Sequence, residues 1–290
     1  MTISRPLAPV RWCLLLAALT QFAWPLQFLV GSDLDPRESF ISELFARDQP
    51  YSEFLRLVDG VGGAAALAAA VLAALVLRGA LGAGRGARGE RPGTRVRVDG
   101  MTVLAVAGLG VFGAATLVDA LSPMSCAPSI SESCAAAEEA WLLPFTHYLH
   151  TVSSSVSVGG LLTSLVAAVL VWRARGAGGG GSVDADRRLG GRPAAEHTTQ
   201  YRLFVLAVAA LVLTTVWTVL EIVLPGAAAV GWAQRVQITV SGIALALLPA
   251  AVLLPETALL PESAPRPDTS LPTASPPPAA SRPGIGGEAR

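Results

Sequence analysis

The sequence THYLHTVSSSVSVGGLLTSLVAAVLVW, residues 146–172, runs for 27 residues without an Asp, Glu, Lys or Arg. A helix rises about 1.5 Å per residue, so about 20 apolar residues cross a hydrocarbon core about 30 Å thick. Such a run is too long for an ordinary core helix of a soluble domain. We therefore expect a membrane-spanning helix, because a helix satisfies its own backbone hydrogen bonds inside a bilayer.

Five further stretches of comparable length and polarity accompany this one, at residues 12–30, 60–76, 101–121, 203–224 and 236–254. The sequence therefore predicts an all-α fold, a six-transmembrane-helix bundle over residues 12–254. Residues 1–11 precede the bundle. Residues 255–290 follow it as a tail with nine prolines, a composition typical of a disordered linker, although its SPPPAA stretch could bind a protein partner.

The composition points to the same class of protein. The chain is 52% hydrophobic and 14% charged, with mean hydropathy +0.54, whereas soluble domains are about 25% charged. The 21 basic residues, all Arg, balance 21 acidic ones, so the charge does not indicate a nucleic-acid partner. We expect a multi-pass protein of the cell membrane with lipids as partners. The absence of Lys and the abundance of Ala, Gly and Pro indicate a high-GC genome, which favours a bacterial source and hence a bacterial plasma membrane.

The arginines predict the orientation, since Arg-rich short loops remain in the cytoplasm. Residues 1–11, the loops at 78–97 and 173–202 and the tail together hold 17 of the 21 arginines. The opposite side holds 12 of the 21 acidic residues. Both termini are therefore predicted to be cytoplasmic.

The outer loop after the third span contains Cys126 and Cys134 but no Arg. Thiols oxidise outside the cytoplasm, so a disulfide is expected between them. The alternative is a thiol metal pair, but the C-x7-C spacing is wider than that of a usual zinc knuckle.

The first outer loop contains SFISELF, residues 39–45. Its apolar residues Phe40, Ile41, Leu44 and Phe45 fall on one side of a helical pattern, which predicts a short helix in the membrane interface.

Polar residues collect at the outer ends of the predicted spans. Ionisable groups at membrane depth are costly, so each is expected to be paired, to face a wet cavity or to lie near the headgroups. His147 and His150, three residues apart, share a helix face. The cluster comprises Asp59, Asp119, His147, His150, Glu221, Arg235 and Gln237.

Several interpretations of this cluster stay open. In the first, the side chains only bind neighbouring helices, and Arg235 neutralises Glu221 or Asp119. In the second, the cluster binds or senses a lipid headgroup or polar ligand, with Arg235 holding a phosphate or carboxylate and no cofactor. In the third, His147, His150 and one carboxylate, Asp119 or Glu221, hold zinc, as in an amidase or lipid hydrolase. A transporter is the remaining alternative, although no mid-helix charge favours it.

Small residues in the second and third spans predict close helix packing. They are Gly60, Gly62, Gly63, Ala64, Gly108, Gly110, Gly113 and Ala114.

The order of motifs SDLDPRESFISEL, THYLHTVSSS and GWAQRVQI, with Asp119 closing the third span, resembles the six-helix bacterial membrane proteins grouped as domain of unknown function 998. A more distant likeness is to the Frag1/DRAM/Sfk1 proteins. The resemblance covers residues 10–254 and implies an integral membrane protein without an established reaction. By that resemblance the family-type positions are Ser42, Glu43, Asp119, His150 and Arg235.

Overall fold

A computed structural model describes residues 7–86, 99–177, 194–224 and 229–254. Those residues are all-helical, and no strand occurs among them. The seven α-helices are α1 (Leu7–Thr20), α2 (Ser52–Gly86), α3 (Gly100–Leu121), α4 (Glu132–Glu139), α5 (Phe145–Ala177), α6 (Ala194–Val223) and α7 (Val230–Leu247). The predictions for the tail at 255–290, for residues 1–6 and for most of the two Arg-rich loops lie outside the described residues.

Six of these helices form a closed ring in chain order. Each of α1, α2, α3, α5, α6 and α7 packs against the next, and α7 returns to α1. The short α4 lies in the loop between α3 and α5. We call the end of the ring that carries this loop the disulfide end, because Cys126 and Cys134 form the predicted disulfide there, with Cα atoms 6.1 Å apart.

Among the described residues, five segments are long and apolar enough to cross a membrane. They are Leu7–Phe28, Ser52–Gly79, Gly100–Leu121, Phe145–Arg175 and Thr198–Val223. They suggest a multi-pass membrane protein. The sixth predicted span forms α7, whose polar residues Gln234, Arg235 and Gln237 lower its mean hydropathy.

Proline changes the first and last predicted spans. The predicted helix over 12–30 ends at Thr20, and a 3-10 helix, Trp24–Phe28, begins beside Pro25. The predicted helix over 236–254 ends at Leu247, ahead of Pro249. The same property of proline explains why both helices end early: its ring lacks a backbone N–H donor and clashes with the preceding helical turn.

The segment after Pro249 turns back into the bundle. Its 3-10 helix, Ala250–Leu253, contacts α1, α3 and α5, and Leu253 and Leu254 are fully buried. Arg175 donates from Nη1 to the Ala251 carbonyl at 2.8 Å and from Nη2 to the Leu254 carbonyl at 2.9 Å. This apolar plug closes the ring opposite the disulfide end.

The disulfide end is covered by a cap, which we define as residues 24–51 and 122–144. The predicted interfacial helix is instead a 3-10 helix, Ile41–Phe45, that faces inward: Ile41 and Leu44 are buried in an apolar cluster with Leu34, Leu55 and Met124. The packing of this cluster buries the apolar face that was expected to contact lipid.

Close packing at the predicted small residues is confirmed for α2 and α3. A Cβ added at Gly113 would lie 2.7 Å from the Gly63 carbonyl oxygen and against the Leu67 backbone nitrogen. Gly108 lies equally close to α5, because a Cβ added there would be 2.8 Å from the Gly160 carbonyl oxygen. Glycine lets these backbones meet.

We expect Gly113→Ala to lower the free energy of unfolding by about 1–3 kcal/mol, because the new methyl group meets backbone atoms that cannot rotate away. Gly110→Ala on the same helix is the matched control, since its nearest neighbour would be Ala70 Cβ at 3.6 Å. Gly110→Ala should leave the free energy of unfolding unchanged or raise it by up to about 1 kcal/mol. Unfolding in detergent micelles measures both, and equal losses in the two variants would contradict this packing.

Candidate functional site

A cavity of about 120 Å³ lies beneath the cap, inside the ring. Its walls come from α1, α2, α3, α5, α7 and the 3-10 helix Ile41–Phe45. Apolar and aromatic residues share these walls with polar ones, which are Thr20, Gln21, Ser42, Asp59, Thr116, Asp119, Ser154, Ser157, Gln234, Gln237 and Ser241. The structure thus brings Ser42, Asp119 and Gln237, three of the predicted site residues, to one cavity.

Asp119 is the most strongly held of these polar groups. Ser153 Oγ donates to its Oδ1 at 2.6 Å, and Ser154 Oγ lies 2.9 Å from Oδ1 and 3.0 Å from Oδ2. His150 Nδ1 lies 3.3 Å from the same Oδ1. His150, Ser153 and Ser154 of α5 therefore fix one carboxylate of α3.

Asp59, in the second turn of α2, is the other carboxylate on the cavity wall. Among the described residues it makes no ion pair and no side-chain hydrogen bond. The sequence placed Asp59 in the polar cluster, but none of the interpretations gave it a role of its own. The sequence feature that could have identified Asp59 is its position at the outer end of a predicted span, as for Asp119.

His147 and His150 take different partners. His147 is fully buried; its Nδ1 accepts from the Ser125 backbone at 3.1 Å, and its Nε2 lies 3.3 Å from Glu138 Oε1. His150 instead faces α3 through Asp119. No group of three or more His, Cys, Asp or Glu that could hold a metal is found in the described parts of the chain. Both His147 nitrogens have partners, so the two imidazoles do not converge on one ligand position.

Arg235 lies outside the cavity wall and is fully buried. Its Nη1 donates to the carbonyls of Ser39 at 2.8 Å, Gly231 at 3.0 Å and Pro36 at 3.1 Å, and its Nη2 to Gln27 Oε1 at 2.8 Å. The expected pairing with Glu221 or Asp119 is wrong, because loop carbonyls take the guanidinium donors. Arg235 therefore ties the cap to α7.

Glu43 ties the two parts of the cap together. Its Oε1 accepts from the Phe40 backbone at 3.0 Å, and its Oε2 accepts from the Ser129 backbone at 3.0 Å and the Ser129 hydroxyl at 2.6 Å. Ser129 lies in the loop that the Cys126–Cys134 disulfide closes. Glu43 thus joins the first outer loop to the disulfide loop.

Glu221 and Gln237 form hydrogen bonds within and between α6 and α7. Glu221 accepts from Trp217 Nε1 at 3.0 Å and from the Ala229 backbone at 2.9 Å, at the turn between α6 and α7. Gln237 Nε2 donates to Thr215 Oγ1 at 2.9 Å, which joins α7 to α6. Gln237 also reaches the cavity, whereas Glu221 does not line it.

Comparison of the chain with protein-family models, with curated proteins and with solved structures found no match.

We expect Arg235→Met to loosen the cap, because it removes a buried cation with hydrogen bonds to four oxygens, each worth about 1.5–3 kcal/mol to a charged donor. Backbone hydrogen exchange across residues 32–40 should accelerate. Arg47→Met is the control, since the Arg47 side chain is exposed on the same cap. Equal protection in both variants would contradict the tethering role of Arg235.

Proposed function

We propose that this chain is a six-span membrane protein whose disulfide end faces away from the cytoplasm. In this proposal it binds or senses a small polar ligand, a lipid headgroup or a free molecule, in the cavity beneath the cap. The cavity carries the proposal. It is a space whose walls combine polar and apolar side chains, inside a bundle with large apolar residues exposed on its outer surface.

The distribution of side chains supports membrane insertion. Large apolar residues are exposed on the outside of the ring, as at Trp12 (70%), Leu213 (69%) and Leu206 (65%). Polar side chains such as Glu43, His150 and Arg235 are at most 2% exposed. Bundles in hydrocarbon place polar groups inward in this way, because lipid offers them no partner.

The ring supports α7 as the sixth span. Its 18 residues extend for about 27 Å, close to the thickness of a hydrocarbon core. Its polar residues, Gln234, Arg235 and Gln237, are turned toward the cap and the interior and not toward lipid. The polar residues of α7 are therefore compatible with a helix that crosses the bilayer.

The arginine distribution supports the orientation. The cap carries Arg37 and Arg47, whereas 17 of the 21 arginines belong to residues 1–11, 78–97, 173–202 and 255–290, the segments predicted to be cytoplasmic. The position of the Cys126–Cys134 disulfide on the cap is compatible with this orientation, since disulfides form outside the cytoplasm.

The size and chemistry of the cavity support binding of one small group. Drug-sized ligands occupy about 300–1,000 Å³, several times the volume of about 120 Å³ found here. The space accommodates a few waters or one headgroup fragment, and hydroxyl, amide and carboxylate groups line it. The zinc-hydrolase alternative gains no support from the separate partners of the two imidazoles. The resemblance to the domain of unknown function 998 proteins stays a prediction on which this proposal does not rest.

Ser42→Phe should fill the cavity from the cap side and lower the amount of co-purified ligand or lipid by about tenfold, which corresponds to about 1.4 kcal/mol of lost binding. Ser155→Phe is the matched control, because Ser155 is exposed on the outer face of α5. Native mass spectrometry of protein extracted with its lipids measures the bound species, and the melting temperature reports folding. Equal retention by both folded variants would contradict binding in the cavity.

A further inference from the structure

The charges on the cavity wall determine which ligand would be stable there. Asp59 and Asp119 lie on the adjacent helices α2 and α3 and line the same cavity, and no Arg, Lys or His is among the described residues that line it. A phosphate or carboxylate in this space would face two carboxylates and no cation. The anion expected from the sequence is therefore disfavoured, since its proposed partner, Arg235, binds the cap.

We infer that the ligand of the cavity carries an ammonium group, held between Asp59 and Asp119. The inference rests on the proposed function and names the chemistry of its ligand. The ammonium could belong to a phospholipid headgroup or to a free small amine.

Asp59 provides the first argument. Its carboxylate has no ion pair or side-chain hydrogen bond among the described residues, whereas Asp119 accepts from Ser153 and Ser154. An unpaired carboxylate in a low-dielectric interior is costly unless a cation or proton neutralises it. Asp59 is therefore the side chain with the most to gain from a bound cation.

The aromatic wall provides the second argument. Trp24, Phe45 and Phe112 line the same cavity as the two carboxylates. Trp24 is held by a hydrogen bond from its Nε1 to Thr239 Oγ1 at 3.1 Å. Aromatic rings stabilise organic cations by cation–π attraction, and aromatic side chains are the usual surroundings of quaternary ammonium ligands.

The oxygen atoms on the wall favour an ammonium over a metal ion. An ammonium group needs acceptors for up to three N–H donors, which the two carboxylates and the Thr116 and Ser157 hydroxyls supply. A calcium ion takes six to eight oxygens at short distance, and magnesium requires an octahedral shell. The described residues provide no group of three or more His, Cys, Asp or Glu for such an ion.

The test uses the full-length protein with two probes. Lipid-free protein in detergent is titrated with ethanolamine, with inorganic phosphate and NaCl as comparisons, and binding is followed by calorimetry. Protein reconstituted in vesicles of equal phosphatidylethanolamine and phosphatidylglycerol is then analysed by native mass spectrometry for the retained lipid. The two arms separate a free amine from a lipid headgroup.

Asp59→Asn should weaken ethanolamine binding, or the retention of phosphatidylethanolamine, by about tenfold, because it removes the unpaired charge while keeping the size of the side chain. Glu53→Gln is the matched control, an exposed carboxylate on the same helix, and should have no effect. Phe45→Leu, which keeps an apolar wall, should weaken binding by about threefold, and it remains informative if Asp59→Asn fails to fold.

Full affinity for the ammonium probes in folded Asp59→Asn would overturn the inference, as would preferential binding of phosphate or phosphatidylglycerol. If a bound species sensitive to Ser42→Phe is neutral or anionic, the ammonium inference fails and the proposed function stands. If no species is sensitive to Ser42→Phe, both fail.

Discussion

Hydrocarbon offers no hydrogen-bond partner, and the arrangement of polar side chains in this bundle follows from that constraint. The outer surface carries exposed Leu, Val and Trp, while the interior contains His150, Arg235 and Gln237. Each of these interior groups binds oxygen or nitrogen atoms of a neighbouring helix or of the cap. Buried polarity therefore holds the six helices and the cap in one arrangement.

The two ends of the ring satisfy this constraint differently. Opposite the disulfide end, apolar residues such as Leu253 fill the space between the helices, and Arg175 binds the carbonyls of this plug. Beneath the cap the packing is incomplete and leaves the cavity. Asp119 has its partners on α5, whereas Asp59 has none among the described residues, so the cavity is the part of the described interior where a ligand would relieve an unpaired charge.

The sequence predicted the helices, the disulfide and the close packing at Gly113, because length, cysteine spacing and small residues act locally. It also placed Asp119, His150 and Gln237 at one depth. It could not predict their partners, because the guanidinium of Arg235 binds carbonyls about 200 residues away in sequence. Residue type alone does not distinguish an arginine that ties a loop from one that binds an anion.

Membrane sidedness is the most direct test of the central claim, that an apolar-surfaced bundle presents its cap and cavity away from the cytoplasm. In a Cys13→Ala background, single cysteines are introduced by Asp33→Cys on the cap and Arg173→Cys at the opposite end, both exposed positions. A membrane-impermeant maleimide is applied to intact cells and to permeabilised cells. The account predicts that position 33 reacts in intact cells and position 173 only after permeabilisation. Labelling of both positions in intact cells, or the reverse pattern, would contradict it.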